Sequence, residues 1–217
     1  MRTWAAALVA VALLLSGCSG TEEETDQPVA TMPAGQQTDE SLAALLPRVT
    51  INGQPLEAFP VATVREAGAA SLPEVTPEAC SFVATGLLNP ILDGTPGAMA
   101  LTTARINVTL VEMGTVEAAQ EMIAERDFVL DSGQCTTVTV TQSGTPSQST
   151  ISEEPVGESG MEQARALVST AAEDGRTASS VSLLGRKGSV LILVNNGVKN
   201  DVEPLRQVAE HLAKQLP

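Results

Sequence analysis

The sequence predicts an α+β fold in which helices pack on an antiparallel β-sheet, and three patterns support it. Asp174-Gly175 separates two strand-like segments, 164–173 and 176–184, and this dipeptide is a strong signal for a hairpin turn. Residues 190–194 are apolar at every position, which is typical of a central strand covered on both faces. Near the C-terminus, apolar residues recur at helical spacing and predict one buried helix face, formed by Leu205, Val208, Ala209, Leu212 and Leu216.

The first part of the domain is predicted to contain two helices. Residues 39–46 begin with two acidic side chains, which suit a helix N-terminus, and Pro47 ends the pattern. Strand-like alternation over residues 49–65 is weak because prolines interrupt it. Thr76 and Pro77 then supply an N-cap and a first-turn proline for a second helix. We expect that helix to end at an Asn-Pro pair, before a DGTPG turn.

A strand, a long helix and another strand are predicted in the middle of the chain. Residues 104–112 alternate between polar and apolar side chains, which indicates a half-buried strand. Thr115 suits the N-cap of a helix that ends near Leu130, and a second alternating segment follows Cys135. The Ser-, Gly- and Pro-rich residues 143–160 are predicted to form a long loop. The positions that recur at helical spacing in the long helix are Ala118, Ala119, Met122, Ile123 and Arg126.

The N-terminal residues carry an export signal that ends in a cysteine. An apolar run over residues 4–15 is shorter than the roughly 20 residues that span a bilayer, which is typical of a secretory signal peptide. The sequence LSGC at 15–18 matches the lipobox of bacterial lipoproteins, in which the thiol accepts a diacylglycerol and becomes the new N-terminus. An ordinary signal peptide with an incidental cysteine is the alternative. We expect Cys18 to anchor the protein by acyl chains, palmitate among them, to the outer side of the cell membrane.

These features predict three regions. Residues 1–17 are the lipoprotein signal peptide, and residues 18–38 are a lipidated, acidic and flexible tether without periodic apolar positions. Residues 39–217 are long enough for a single extracytoplasmic domain with a real core. The expected membrane contact is therefore made by the lipid on Cys18.

Composition excludes several classes of function. The chain carries 12 basic and 26 acidic residues, which argues against nucleic acid as a partner and against a polybasic membrane patch. After removal of the signal peptide, the aromatic residues are three phenylalanines, so the core must be aliphatic and a carbohydrate site is disfavoured. In an exported protein, Cys80 and Cys135 predict a disulfide; a redox couple and a metal site are the alternatives.

No catalytic or cofactor-binding motif is present in the sequence. GRKGS at 185–189 lies between strands and is expected to form a hairpin turn instead of a phosphate-binding loop. His211 is the single histidine and lies off the apolar stripe of the last helix, so Ser-His-Asp and Cys-His catalysis are disfavoured. We expect a protein that is not an enzyme, without cofactors and without a metal site; a carboxylate pair remains open in principle.

Several landmarks follow one another in a characteristic order along the chain. They are LAALLP at 42–47, PEAC at 77–80, RINVTLVEM at 105–113, TVEAAQEMI at 115–123, DSGQC at 131–135, RKGSVLILV at 186–194 and VAEHLAKQL at 208–216. Their order and spacing, over about residues 39–217, resemble one family, the extracellular sensor-like domain of actinobacterial membrane serine/threonine kinases of the PknH type and its stand-alone lipoprotein relatives.

The resemblance implies a two-layer α+β domain with a groove for an extracytoplasmic ligand. This chain departs from the family at two points. Phe128 stands near the position where a tryptophan usually precedes the second cysteine, and the cysteines allow one disulfide where two are common. No ligand-binding residues are therefore transferred to this chain.

Two functions remain after these exclusions. The first is a non-catalytic, ligand-binding or sensor-like module that meets an unidentified ligand or protein of the cell envelope. The alternative is a carrier of lipid or another hydrophobic ligand, since all-apolar runs such as residues 190–194 either line a cavity or fill a core. A purely structural role in the envelope is a third possibility and is less favoured than either.

Overall fold

A nine-stranded antiparallel sheet organises this computed structural model, which describes residues 37–51, 53–68, 72–102, 105–173, 176–196 and 201–217. The strands β1 and β2 form a separate two-stranded ribbon, and the other nine strands form the large sheet. In chain order the strands are β1 (Thr50–Ile51), β2 (Gln54–Pro55), β3 (Glu57–Phe59), β4 (Glu74–Thr76), β5 (Gly97–Leu101), β6 (Ile106–Glu112), β7 (Thr137–Gln142), β8 (Thr145–Glu154), β9 (Glu162–Glu173), β10 (Arg176–Lys187) and β11 (Val190–Asn196). The strand order in the large sheet is β3-β5-β6-β11-β10-β9-β8-β7-β4, and β1 pairs with β2. The predicted α+β class, a single domain with helices on an antiparallel sheet, is confirmed.

Helices cover both faces of the sheet. They are α1 (Asp39–Ala43), α2 (Val61–Ala67), α3 (Ser81–Thr85), α4 (Leu88–Leu92), α5 (Val116–Asp131) and α6 (Glu203–Ala213), with short 3-10 turns at Leu46–Arg48 and Glu78–Cys80. We call the face against α1 and α6 the α6 face, and the face against α3, α4 and α5 the α5 face. Both edge strands, β3 and β4, are three residues long.

The strand β11 lies between β6 and β10 and is buried on both sides, as predicted. Val190, Ile192 and Val194 pack into the α6 face, and Leu191 and Leu193 pack into the α5 face. Burying an aliphatic side chain of this size contributes roughly 1.5–3 kcal/mol. The predicted apolar stripe is also confirmed, since all five of its residues are buried against the α6 face, with Leu216 lying just beyond the end of α6.

Two separate apolar clusters cover the α5 face. The α5 cluster consists of Val61, Leu87, Ile91, Val111, Ala119, Ile123, Leu191 and Leu193. The disulfide cluster consists of Cys80, Cys135, Val138, Ile151 and Leu167. The helix α5 contributes directly to the first cluster and adds partly buried side chains to the second, so it lies over both.

The predicted disulfide between Cys80 and Cys135 is present, with an S–S distance of 2.05 Å. Cys80 ends the 3-10 turn before α3, and Cys135 lies between α5 and β7. Both side chains are almost fully buried. The bond therefore attaches the segment before α3 to the corner where α5 turns back into the sheet.

Arg65 joins its own helix α2 to α1, to α4 and to the segment before β5. Its guanidinium makes a bidentate contact with Asp39 of α1 and donates to the carbonyl oxygens of Ile91 and Thr95 at 3.0 and 2.9 Å. Asp39 also accepts from the N–H of Gly97 at 2.8 Å. Arg65 is the chief cause of a lowered pKa at Asp39, since its hydrogen bonds favour the ionised carboxylate.

A second arginine holds α5 on the sheet. Arg165 of β9 contacts Asp127 and Asp131 of α5 and Glu153 of β8, each at 2.9 Å. Burial raises the pKa of Asp127, against the opposing effect of the Arg165 charge. The contact spans helix and sheet, so it restricts where α5 can lie above the strands.

The long loop predicted over residues 143–160 is wrong, because the segment contains β8. Ser143 and Gly144 adopt φ angles of 51° and 78° in the turn between β7 and β8. Positive φ at both turn residues suits a two-residue hairpin. Pro146 is tolerated because it lies where β8 pairs with β7 alone; pairing with β9 begins at Ser149.

The second predicted helix is also wrong in its extent. Thr76 ends β4, its peptide bond to Pro77 is cis, and a 3-10 turn follows in place of a helical first turn. Gly86, with a φ of 59°, then separates α3 from α4. Pro90 lies in the first turn of α4, where a missing N–H costs no intrahelical hydrogen bond.

Smaller differences concern element ends. The weak alternation over residues 49–65 gives three very short strands, and Pro60 is the N-cap of α2 instead of an interruption in a strand. Pro47 lies inside a 3-10 turn after α1. Thr115 caps α5 as predicted, by accepting from the N–H of Ala118. In GRKGS the turn is Gly188-Ser189, because β10 continues to Lys187 through a register shift.

Replacing both cysteines (Cys80→Ser with Cys135→Ser) should lower the free energy of unfolding by roughly 4 kcal/mol, because the bond links residues that are 55 apart in sequence. Urea unfolding followed by circular dichroism measures this change. Wild-type protein reduced with dithiothreitol should unfold at the same urea concentration as the double variant. An unchanged midpoint in both would contradict the expectation.

Asp39→Asn should lower the free energy of unfolding by about 1.5–3 kcal/mol at pH 7, because it leaves Arg65 without its charged partner. Since the folded-state pKa of Asp39 is lowered, this stabilisation is complete above the ordinary carboxyl pKa and is lost as the pH falls below about 4. Urea midpoints of wild type and variant should therefore converge in acid. Glu40→Gln, an exposed change on the same helix, is the control and should have little effect.

Candidate functional site

A cleft of about 440 Å³ opens on the α5 face and is lined by side chains from both apolar clusters. The helix α3, Gly86 and Leu88 form one wall, α5 contributes Arg126, and strands of the large sheet form the floor. The volume falls within the range of roughly 300–1,000 Å³ that is typical of small-molecule sites. The cleft is therefore large enough for an organic ligand.

The floor of the cleft carries a row of polar side chains that crosses the sheet. Asn107 of β6 lies opposite Asn195 of β11, and its Nδ2 donates to the Oδ1 of Asn195 at 2.8 Å. Ser182 of β10 is the neighbour of Asn195 on the other side. The row continues over β10, β9 and β8 with Ser180, Ser169 and Ser149. We call these six side chains the polar row; each can both donate and accept hydrogen bonds.

The wall formed by α3 is held by the disulfide cluster. Phe82 and Val83 lie two and three residues after Cys80, pack against that cluster and line the cleft. Gly86 completes the wall in a left-handed conformation, and a Cβ at this position would lie 2.5 Å from the Cδ2 of Leu193. A larger residue at Gly86 would therefore strain the backbone and displace the side chain of Leu193 in the cleft.

Arg126 of α5 lines the cleft and is partly buried. Its Nη2 donates to the carbonyl oxygen of Gly86 at 3.0 Å, and its guanidinium carbon lies 5.4 Å from the ring centroid of Phe82. Burial lowers the pKa of Arg126 to about 10, against the opposing effect of the Glu125 charge, which leaves it protonated at neutral pH. The cleft thus contains a positive charge held by one hydrogen bond and one aromatic contact.

The charge of the cleft differs from that of the protein as a whole. The sequence has a formal net charge of −14, yet no aspartate or glutamate is among the described residues that line the cleft. On the outer side of α3, a second depression of about 530 Å³ shares Phe82 and Arg126 with the cleft. That depression contains three carboxylates, those of Glu78, Asp93 and Glu125. Phe82 and Arg126 therefore separate an acidic surface from a cleft without acidic residues.

The residues that the sequence analysis singled out as candidate functional residues do not lie together in the fold. Cys18, its signal peptide and nearly all of its tether are outside the described residues. Cys80 and Cys135 support the wall of the cleft through the disulfide. His211 is exposed on α6. No described helix is both long and apolar enough to cross a membrane.

Sequence reasoning placed Arg126 among the helical positions of α5 but gave it no function. The signal in the sequence was that Arg126, a charged residue, occupies a helix position where the spacing predicts an apolar one. The polar row was not recognised, because its members come from five strands and are brought together by the pairing of those strands.

No family model matches the chain, and no curated protein matches it. Among solved structures, the chain is similar to the extracellular domain of PknH from Mycobacterium tuberculosis, with a TM-score of 0.59 and 14% sequence identity. The match covers 82% of this chain and 96% of that one. At this identity the similarity concerns the fold alone. The chain therefore has a fold like that of the extracellular domain of PknH, in agreement with the fold that the resemblance in its sequence implies.

Proposed function

We propose that this protein is a lipid-anchored extracytoplasmic module that binds a small ligand in the cleft without changing it chemically. The observation that carries the proposal is the cleft itself, which combines apolar walls with the polar row and one arginine. This is the usual composition of small-molecule sites, where a few polar groups orient a ligand among apolar side chains. The fold shared with an extracellular domain supports a location outside the cytoplasm.

A binding role without catalysis is supported by the side chains in the cleft. Arg126 is the one ionisable side chain among the described residues that line it. Its pKa of about 10 is too high for an efficient general base near neutral pH. Serine hydroxyls of the polar row have no histidine, lysine or carboxylate among their described neighbours in the lining to activate them.

A carrier of hydrophobic molecules is the second candidate, favoured by apolar cleft residues such as Phe82, Leu88 and Leu184. The apolar run of β11 supports a carrier function less than the composition of this run suggests. Val190, Ile192 and Val194 fill the core of the α6 face, and Leu193 is the residue of this run that lines the cleft. Co-purification of a lipid with detergent-free protein, detected by native mass spectrometry, would favour the carrier.

Lipid attachment can be tested at Cys18. Cells grown with an alkynyl analogue of palmitate should label the wild-type protein, because the thiol of Cys18 accepts the diacylglycerol that carries the acyl chains. The Cys18→Ala variant should remain unlabelled. Ser19→Ala, which keeps the thiol, is the matched control and should be labelled like wild type. Equal labelling of Cys18→Ala and wild type would contradict the lipid anchor.

Filling the cleft should weaken the binding of a small apolar probe. The neutral dye N-phenyl-1-naphthylamine should bind residues 18–217 (with Cys18→Ser to keep the chain free of lipid) with saturable fluorescence. Ser182→Phe places a ring on the cleft floor and should weaken this binding about tenfold or more, a loss of about 1.4 kcal/mol.

The matched control is Ser152→Phe, which adds the same ring at an exposed position of β8 outside the cleft lining. It should leave the dye affinity within about twofold of wild type, a difference of roughly 0.4 kcal/mol. If wild type shows no saturable binding, or if both variants behave alike, the cleft is not the binding site.

A further inference from the structure

Arg126 differs from the other arginines that are partly or fully buried in the described part of the chain. Four of them contact a carboxylate, in the pairs Arg65–Asp39, Arg165–Asp127, Arg186–Glu162 and Arg206–Glu203. For Arg126, no carboxylate of a described residue lies within ion-pair distance. In a chain with 26 acidic residues, such a cation is the exception.

The protein groups that contact Arg126 orient its guanidinium but do not neutralise it. The carbonyl of Gly86 accepts from one of the five N–H groups of Arg126, and the guanidinium carbon lies over the ring of Phe82. Removing a cation partly from water is costly unless it is paired, and charge-assisted hydrogen bonds to an anion are about twice as strong as neutral ones. The remaining donors are therefore suited to an anionic group of a ligand.

We infer that the cleft binds an organic molecule with a single negative charge, whose anionic group is held by Arg126 and whose apolar part lies against Phe82, Leu88 and Leu184. This inference rests on the proposed function and names the class of ligand. The polar row gives such a ligand hydrogen bonds along its opposite side.

The expected charge of the ligand follows from the charge of its surroundings. One arginine and no carboxylate among the described lining residues give the cleft a formal charge of +1, and Glu125, which also acts on Arg126, belongs to the adjoining depression and not to the cleft lining. A second negative charge would meet no cation there and would face the acidic body of the protein. A monoanion is therefore favoured over both a dianion and a neutral molecule of the same size.

Two dyes of nearly the same shape test this inference. 8-Anilinonaphthalene-1-sulfonate carries one sulfonate, and N-phenyl-1-naphthylamine has the same ring system without it. Arg126→Gln should weaken the binding of the sulfonate dye about tenfold or more, as expected for the loss of a charged hydrogen bond. The neutral dye should bind within about twofold of wild type. Arg126→Lys keeps the charge and should recover part of the sulfonate affinity.

Arg48→Gln is the matched control, because it removes the same charge from an exposed position outside the cleft lining. It should leave both dyes unaffected. Equal loss of both dyes in Arg126→Gln would show that Arg126 only shapes the cleft, and an unchanged sulfonate affinity would show that it does not contact the anion. Either result overturns the inference while the proposed function stands.

Competition with eight-carbon molecules tests the charge preference independently. Octanoate should displace the sulfonate dye from wild type at lower concentration than octanamide, which is neutral, or suberate, which carries two carboxylates. Equal displacement by all three would overturn the inference. If Ser182→Phe weakens the binding of neither dye, the proposed function fails and the inference fails with it.

Discussion

The burial of β11 on both faces is the constraint on which the rest of the structure depends. A strand that is apolar at every position requires cover above and below the sheet. The helices α1 and α6 provide it on one side with a continuous core. On the other side, α5 and the short helices around it form two clusters with a gap between them. The cleft lies where the cover of the α5 face is incomplete, and there the sheet presents polar side chains.

The same contacts that hold the domain together also hold the cleft open. The disulfide positions α3, and with it Phe82 and Val83, above the sheet. Arg165 restricts α5 through acidic residues of α5 and β8, which in turn places Arg126 at the opposite wall. The chain therefore uses Arg165 for structure and presents Arg126 to the cleft. Arg165 forms ion pairs with three carboxylates, whereas Arg126 forms none with a described residue.

Strong local patterns in the sequence were sufficient for the centre of the fold. The pairing of β9 with β10, the apolar run of β11 and the apolar stripe near the C-terminus were predicted because each depends on neighbours in sequence; the Asp174-Gly175 turn itself lies outside the described residues. The strand β8 was missed because its Ser, Thr and Pro residues are typical of loops, and its pairing with β7 and β9 decides its conformation. The candidate site was beyond prediction for a related reason. Whether Arg126 has an acidic partner depends on distances between elements far apart in sequence.

For the proposed anionic ligand, the rate of arrival and the strength of binding depend on different charges, because the protein is acidic while the described residues that line the cleft include no carboxylate. The net charge of −14 repels an approaching anion at long range, which slows association when little salt is present. Salt screens charges beyond about 8 Å at physiological ionic strength, whereas a partly buried contact such as that with Arg126 is screened much less. Dissolved ions would therefore speed the association of the proposed anion with the cleft while leaving its dissociation nearly unchanged.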